Sequence, residues 1–167
     1  MKTTALLLTF FILTNSVNAQ SKIDCSKYIE YEYDKMTGDT TIKSKTIKIV
    51  HPDGKALSLY WIKDNKNSPE WIVARPINSG SCVDNECSIL FLLRDNTRLS
   101  LQNQSGFNCD PEFLVCLWKN ENSFDILKSK KIASIRVETT KSFFQSDLTE
   151  QQAIFFTNSG YCISQKR

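Results

Sequence analysis

The chain of 167 residues carries a formal charge of +3, with 23% charged, 41% hydrophobic and 11% aromatic residues. That is the arithmetic of an ordinary folded domain with room for a core, and it excludes disorder, collagen and coiled coil. So small a positive excess gives no electrostatic basis for nucleic-acid binding or for anchoring on an anionic membrane.

The N-terminal segment reads as an address. Met1-Lys2-Thr3-Thr4 is a short positive region, Ala5–Leu13 is an apolar run, and Val17-Asn18-Ala19 ends in the small-residue pattern of a signal-peptidase site. The apolar run falls well short of the roughly 20 residues a membrane span needs. A short buried helix is the weaker alternative. A lipoprotein would need Cys directly after the cleavage site, where Gln20 stands. The expected organisation is a signal peptide, 1–19, followed by one β-rich, disulfide-containing domain, 20–167. Such a protein is exported, periplasmic or secreted, with no stable membrane anchor.

Beyond residue 20, the five glycines and four prolines fall between or at the ends of apolar runs. These runs are short and rich in Ile, Val, Thr and aromatics, which predicts strands. They lie near Tyr28–Lys35, Thr40–Val50, Lys55–Lys63, Glu70–Ile77, Ser88–Arg94, Thr97–Gln102, Phe113–Lys119, Ile132–Thr139 and Ser142–Gln145. Two helices are expected. Ser123 caps a short one over FDILKSK, with Asp125 in its first turn and lysines at its end. A second starts at the capping box Thr149-Glu150-Gln151-Gln152, with Asp147 as an alternative cap, and runs to about Asn158, where Gly160 terminates it. The fold class is mainly β (α+β): an antiparallel meander forming a sandwich or open barrel, with a short helix and a C-terminal helix packed on it.

Six cysteines in an exported chain favour disulfides, and six allow 15 pairings. If Asp95-Asn96 is a two-residue hairpin turn, Arg94 pairs with Thr97 and the register carries Cys82 opposite Cys109, as a hydrogen-bonded pair about 5.5 Å apart at Cα. Cys87–Cys116 and Cys25–Cys162 then follow by elimination. Zinc spacing is absent, because no C-x-x-C occurs and His51 is the only histidine. A catalytic thiol would need a nearby base.

Few constellations could carry chemistry. Glu30, Glu32 and Asp34 alternate on one strand face, as calcium ligands or a glycosidase pair would. The structural alternative is stronger: with Thr37-Gly38 as the turn, Glu32 faces Lys43 and Glu30 faces Lys45. His51, in His51-Pro52-Asp53-Gly54, reads as a turn residue. Asp84 and Glu86, between Cys82 and Cys87, could line a polar loop edge. Trp61 (beside Tyr60) and Trp71 flank the Asp64–Pro69 loop and could stack on a sugar or anchor a protein. Lys128, Lys130 and Lys131 are too few for a nucleic-acid footprint. Asn103-Gln104-Ser105 matches a glycosylation acceptor, a motif common by chance.

Several pieces occur in order along most of the mature chain: YDKMTGDT at 33–40, GSCVD at 80–84, FNC at 107–109, KIASIRV at 131–137 and LTEQQA at 148–153. With them the chain resembles a set of uncharacterised exported proteins of Bacteroidota. The resemblance implies an envelope or secreted location and a β-rich domain, and supports Cys82 and Cys109 as a matched pair. It implies no activity, and Cys25, Cys87, Cys116 and Cys162 stand outside its pattern.

The functional expectation is a non-enzymatic module that needs no cofactor or metal. It would bind a protein or glycan partner through loops on a rigid sheet, with Trp61, Trp71, Asp84 and Glu86 as the candidate surface. One alternative is a secreted hydrolase inhibitor using the stiffened loop Ser79–Cys87. Another is a carboxylate-dependent glycan hydrolase using Glu30, Glu32 or Asp34.

Overall fold

The computed structural model describes residues 23–51, 53–64, 69–109, 113–116 and 121–166, with backbone alone for 113–116 and 121. The expected signal segment, 1–19, lies outside the described residues. The chain opens with a 3₁₀ turn (Cys25–Lys27) and then builds β1 (Ile29–Tyr33), β2 (Thr40–Ser44), β3 (Ile47–Val50), β4 (Ala56–Lys63) and β5 (Trp71–Ile77). It crosses to a second sheet for β6 (Ser88–Leu93) and β7 (Arg98–Gln102), and returns to the first for β8 (Phe113–Cys116). Helix α1 (Glu121–Ser129), β9 (Ile132–Glu138), β10 (Phe143–Asp147) and α2 (Glu150–Ser164) complete it.

All strand pairs are antiparallel. The first sheet runs β1-β2-β4-β5-β8, with β3 also on β4, and the second runs β10-β9-β6-β7. The sheets curl as a half-barrel, so the mainly-β, open-barrel expectation with a C-terminal helix holds. Alternation explains the core. On β4, Leu57, Leu59, Trp61 and Lys63 point inward and are buried, while Ser58, Tyr60 and Ile62 are only partly covered. On β6, Ile89, Phe91 and Leu93 do the same.

Helix α2 fills the space the curl leaves. The capping box at Thr149 forms as expected, its hydroxyl accepting from the Gln152 N–H. Phe156 on α2 stacks against Trp61 of the first sheet, 5.0 Å between centroids, and against Phe91 of the second at 6.1 Å. Phe124 of α1 meets Trp61 edge-on at 5.1 Å. Four aromatics from two sheets and two helices therefore share one contact, and the Trp61 indole N–H donates to the Phe156 carbonyl at 3.1 Å.

The structure corrects four local expectations. Helix α2 runs past Gly160 to Ser164, because Gly160 is the point at which the helix backbone lies against Trp61. Helix α1 begins at Glu121, which leaves Ser123 buried within it rather than capping it. Thr40–Val50 is two strands: Ile42 opposes Lys63 but Ile47 opposes Leu59, a one-residue slip. There the buried Ser44 hydroxyl accepts the Trp61 N–H at 2.9 Å in place of a ladder carbonyl.

The fourth concerns both hairpin turns. The β6–β7 connection is a three-residue loop, with Leu93 N–H donating to the Thr97 carbonyl and Asn96 at φ +65°. This register sets Leu101 opposite Ile89 and Leu99 opposite Phe91, apolar against apolar. A two-residue turn would have turned Gln102 and Ser100 to the core. The β1–β2 connection is a four-residue loop closed by Asp34 N–H to the Asp39 carbonyl, with Gly38 at φ +76°. Its slip of two residues keeps every side chain on its expected face. Glu30 faces Lys43 and Glu32 faces Thr41.

Candidate interaction surface

The cysteines assemble first. Cys25 in the 3₁₀ turn is bonded to Cys162 in α2, Cα atoms 5.4 Å apart. Cys82 is bonded to Cys109 with Cα atoms 4.0 Å apart. They sit beside Val83 and Asn108, which exchange both backbone bonds at 2.8 and 2.9 Å, so Cys82–Cys109 is the close, non-hydrogen-bonded pair rather than the wide one. Cys87 is free and buried, so the expected Cys87–Cys116 bridge is not made. Cys87 leads into β6 of the second sheet, whereas Cys116 belongs to β8 of the first. The Cys87 thiol donates to Asp84 Oδ1 at 3.2 Å, and burial pushes it above its ordinary pKa.

The residues expected to form a binding surface do not come together. Trp61 is fully buried in the aromatic contact, because alternation along β4 turns it inward. Trp71 lies on the opposite, outer face of the first sheet, half-buried across from Ile62. Asp84 is committed to its own loop: Oδ1 accepts from Glu86 N–H at 2.9 Å and Cys87 N–H at 3.1 Å. Those bonds and the thiol hold its carboxyl below the usual range, the Cys87 thiol foremost. Glu86 is exposed at the mouth of a groove of about 430 Å³ shared with Asp84, Cys87, Glu138 and Thr140. Among the described residues no group of three or more His, Cys, Asp or Glu side chains could hold a metal ion.

The Ser79–Cys87 segment is pinned rather than projecting. Val83 is fully buried, the Thr140 N–H donates to the Cys82 carbonyl at 3.0 Å, and the Lys141 N–H donates to Ser81 Oγ at 3.2 Å. Asn103 is buried as well, its Nδ2 donating to the Asp84 carbonyl at 2.9 Å, so the glycosylation match is a structural amide. His51 serves its turn, with Nδ1 2.9 Å from Asp53 Oδ1.

What stands out instead is the β1–β2 hairpin. Five rungs join its strands, but β2 meets β4 through Ile42 and Lys43 alone, so the outer half is not backed by the sheet. Tyr31 is 56% exposed, Tyr33 62% and Met36, in the loop, 94%. Period two places both tyrosines on the face that holds the buried Ile29 and Ile42, the latter directly opposite Tyr31. The Lys166 ammonium lies 5.7 Å from the Tyr31 ring centroid, at cation–π range. Glu30 and Glu32 occupy the other face as expected. Asp34 instead closes the loop, Oδ1 accepting the Met36 N–H at 2.7 Å, a bond that leads in lowering its pKa.

Sequence reasoning missed this surface although its signal was present. Ile-Glu-Tyr-Glu-Tyr alternates as a half-buried strand does, but burial along it stops at Ile29 and both tyrosines stay exposed. The chain matches no protein-family model, no curated protein and no solved structure.

Proposed function

We infer that the protein is an exported, non-enzymatic binding module that engages a partner protein in the envelope or outside the cell, with the β1–β2 hairpin as its contact surface. The observation carrying this reading is the gathering of Tyr31, Tyr33 and Met36 on one hairpin that extends past its supporting sheet. Tyr supplies large contact area at low entropic cost and is enriched where partners dock. Export is supported by the signal-like residues 1–19 and by two disulfides, which persist in oxidising compartments. The resemblance to exported proteins of Bacteroidota points the same way. No helix among the described residues is long and apolar enough to cross a membrane.

The test is quantitative capture from envelope and culture fractions with the wild type and a Tyr31→Ser/Tyr33→Ser/Met36→Ser variant. A stoichiometric partner held by the wild type and lost by the equally stable variant is the expected result. A partner retained by the variant moves the site elsewhere, and hydrolytic turnover of a glycan panel by the wild type removes the non-enzymatic reading.

A further inference from the structure

β1 ends the first sheet, and among the described residues no strand pairs with its outer side. The ladder defines which backbone groups are unused. Lys45 N–H donates to the Tyr28 carbonyl and Asp34 N–H to the Asp39 carbonyl, both at 2.9 Å. The hydrogen-bonded rungs therefore fall on even-numbered residues, and the N–H and C=O groups of Ile29, Tyr31 and Tyr33 point away from β2. Of the strands paired on one side only whose burial is described, β1, β3, β7 and β10, β1 alone exposes both faces over four consecutive residues. It carries no proline, lysine or bulge, and its guard against indiscriminate strand addition is the negative charge of Glu30 and Glu32.

We propose that this edge accepts an extended segment of another protein, with Lys or Arg at alternate positions, as an added antiparallel or parallel strand. The idea rests on the hairpin reading above and specifies how the hairpin binds. Charge selects the occupant. Glu30 and Glu32 line one face, and Glu32 faces Thr41 rather than a cation. Lys43, opposite Glu30, has its ammonium 4.5 Å from the Tyr60 ring centroid. An incoming strand with basic residues on that face gains cross-strand ion pairs, and its apolar residues meet Tyr31 and Tyr33 on the other. A second copy of this chain fits badly: antiparallel pairing centred on Tyr31 sets Glu30 against Glu32 twice, like charges directly opposed.

The probe is a seven-residue Lys–Val alternating peptide, with a Glu–Val peptide as its counterpart, titrated into isotope-labelled protein with both disulfides intact. Expected are shifts of the Tyr31 and Tyr33 amides, slowed hydrogen exchange at those amides, and no response to the Glu–Val peptide. Glu30→Lys/Glu32→Lys reverses that preference. Tyr31→Pro removes an outward N–H that carries no ladder bond, so the fold survives and affinity falls about tenfold relative to Tyr31→Ala. Equal binding by the Pro and Ala variants, shifts mapping away from β1, or concentration-dependent pairing of Tyr31 without peptide each overturns the proposal. Silence towards both peptides also overturns it, whereas loss of captured partner in the Ser variant would still uphold the hairpin reading.

Discussion

Gly160 and Trp61 meet where α2 crosses β4. A Cβ at Gly160 would stand 2.7 Å from Trp61 Cε2 and Cζ2 and 3.1 Å from Lys128 Cγ. Gly160→Ala should gain about 1 kcal/mol of helix propensity and lose roughly 1–3 kcal/mol to overpacking. The expected net effect is a lower Tm by calorimetry, and a raised Tm would show that the indole can yield. Asp53 illustrates a charge effect at the same scale. Lys55 first, through its side chain and its N–H, and then His51 hold the Asp53 carboxyl down at about 2. A depressed carboxyl contributes stability above the unfolded value of about 3.9 and loses it as pH falls through about 2. Asp53→Asn should therefore lower Tm slightly at pH 5 and not at all at pH 1.5. The effect stays small because the pair is solvent-screened.

Helix α1 is fastened to β5 by an ion pair that is nearly out of water. Lys128 Nζ lies 2.5 Å from Glu70 Oε2, with the side chains 15% and 12% exposed, and among the described residues that oxygen has no hydrogen-bond donor beyond the ammonium. Lys128→Met should cost about 3–5 kcal/mol by leaving Glu70 buried and unpaired. Lys128→Met/Glu70→Leu should recover most of that in denaturant unfolding, and equal losses in the two variants would show that the pair is water-linked. The strands and both helices were legible as types, because period two in Leu57–Lys63 and the capping box at Thr149 are local signals, but the 3₁₀ turn at Cys25–Lys27 was not. The turns were not. Asn96 in the left-handed region lengthens the β6–β7 loop by one residue, and only the long-range match of Leu99 and Leu101 with Ile89 and Phe91 arbitrates that choice. Trp61 and Trp71 show the same limit. Both follow the alternation, but which face is the core depends on where α2 lands, and no local pattern contains that.

Across the whole molecule, the two disulfides divide the labour unequally. Cys25 and Cys162 are 137 residues apart in sequence and Cys82 and Cys109 are 27 apart. In the chain-entropy description, closing loops of those lengths is worth about 5 and about 3.6 kcal/mol respectively. Cys25→Ala/Cys162→Ala should accordingly lower the urea midpoint more than Cys82→Ala/Cys109→Ala, and the opposite order would place the second bridge's contribution in native packing.

The Cys25–Cys162 bond has a mechanical consequence. A tether pulling on the chain before Cys25 and after Cys162 passes its tension through one covalent link, so neither sheet bears load and the β1–β2 hairpin keeps its shape under shear. Reduction of that single bond would transfer the whole force to α2 and its aromatic contacts. A stretched molecule would then lengthen in reductant and stay short without it.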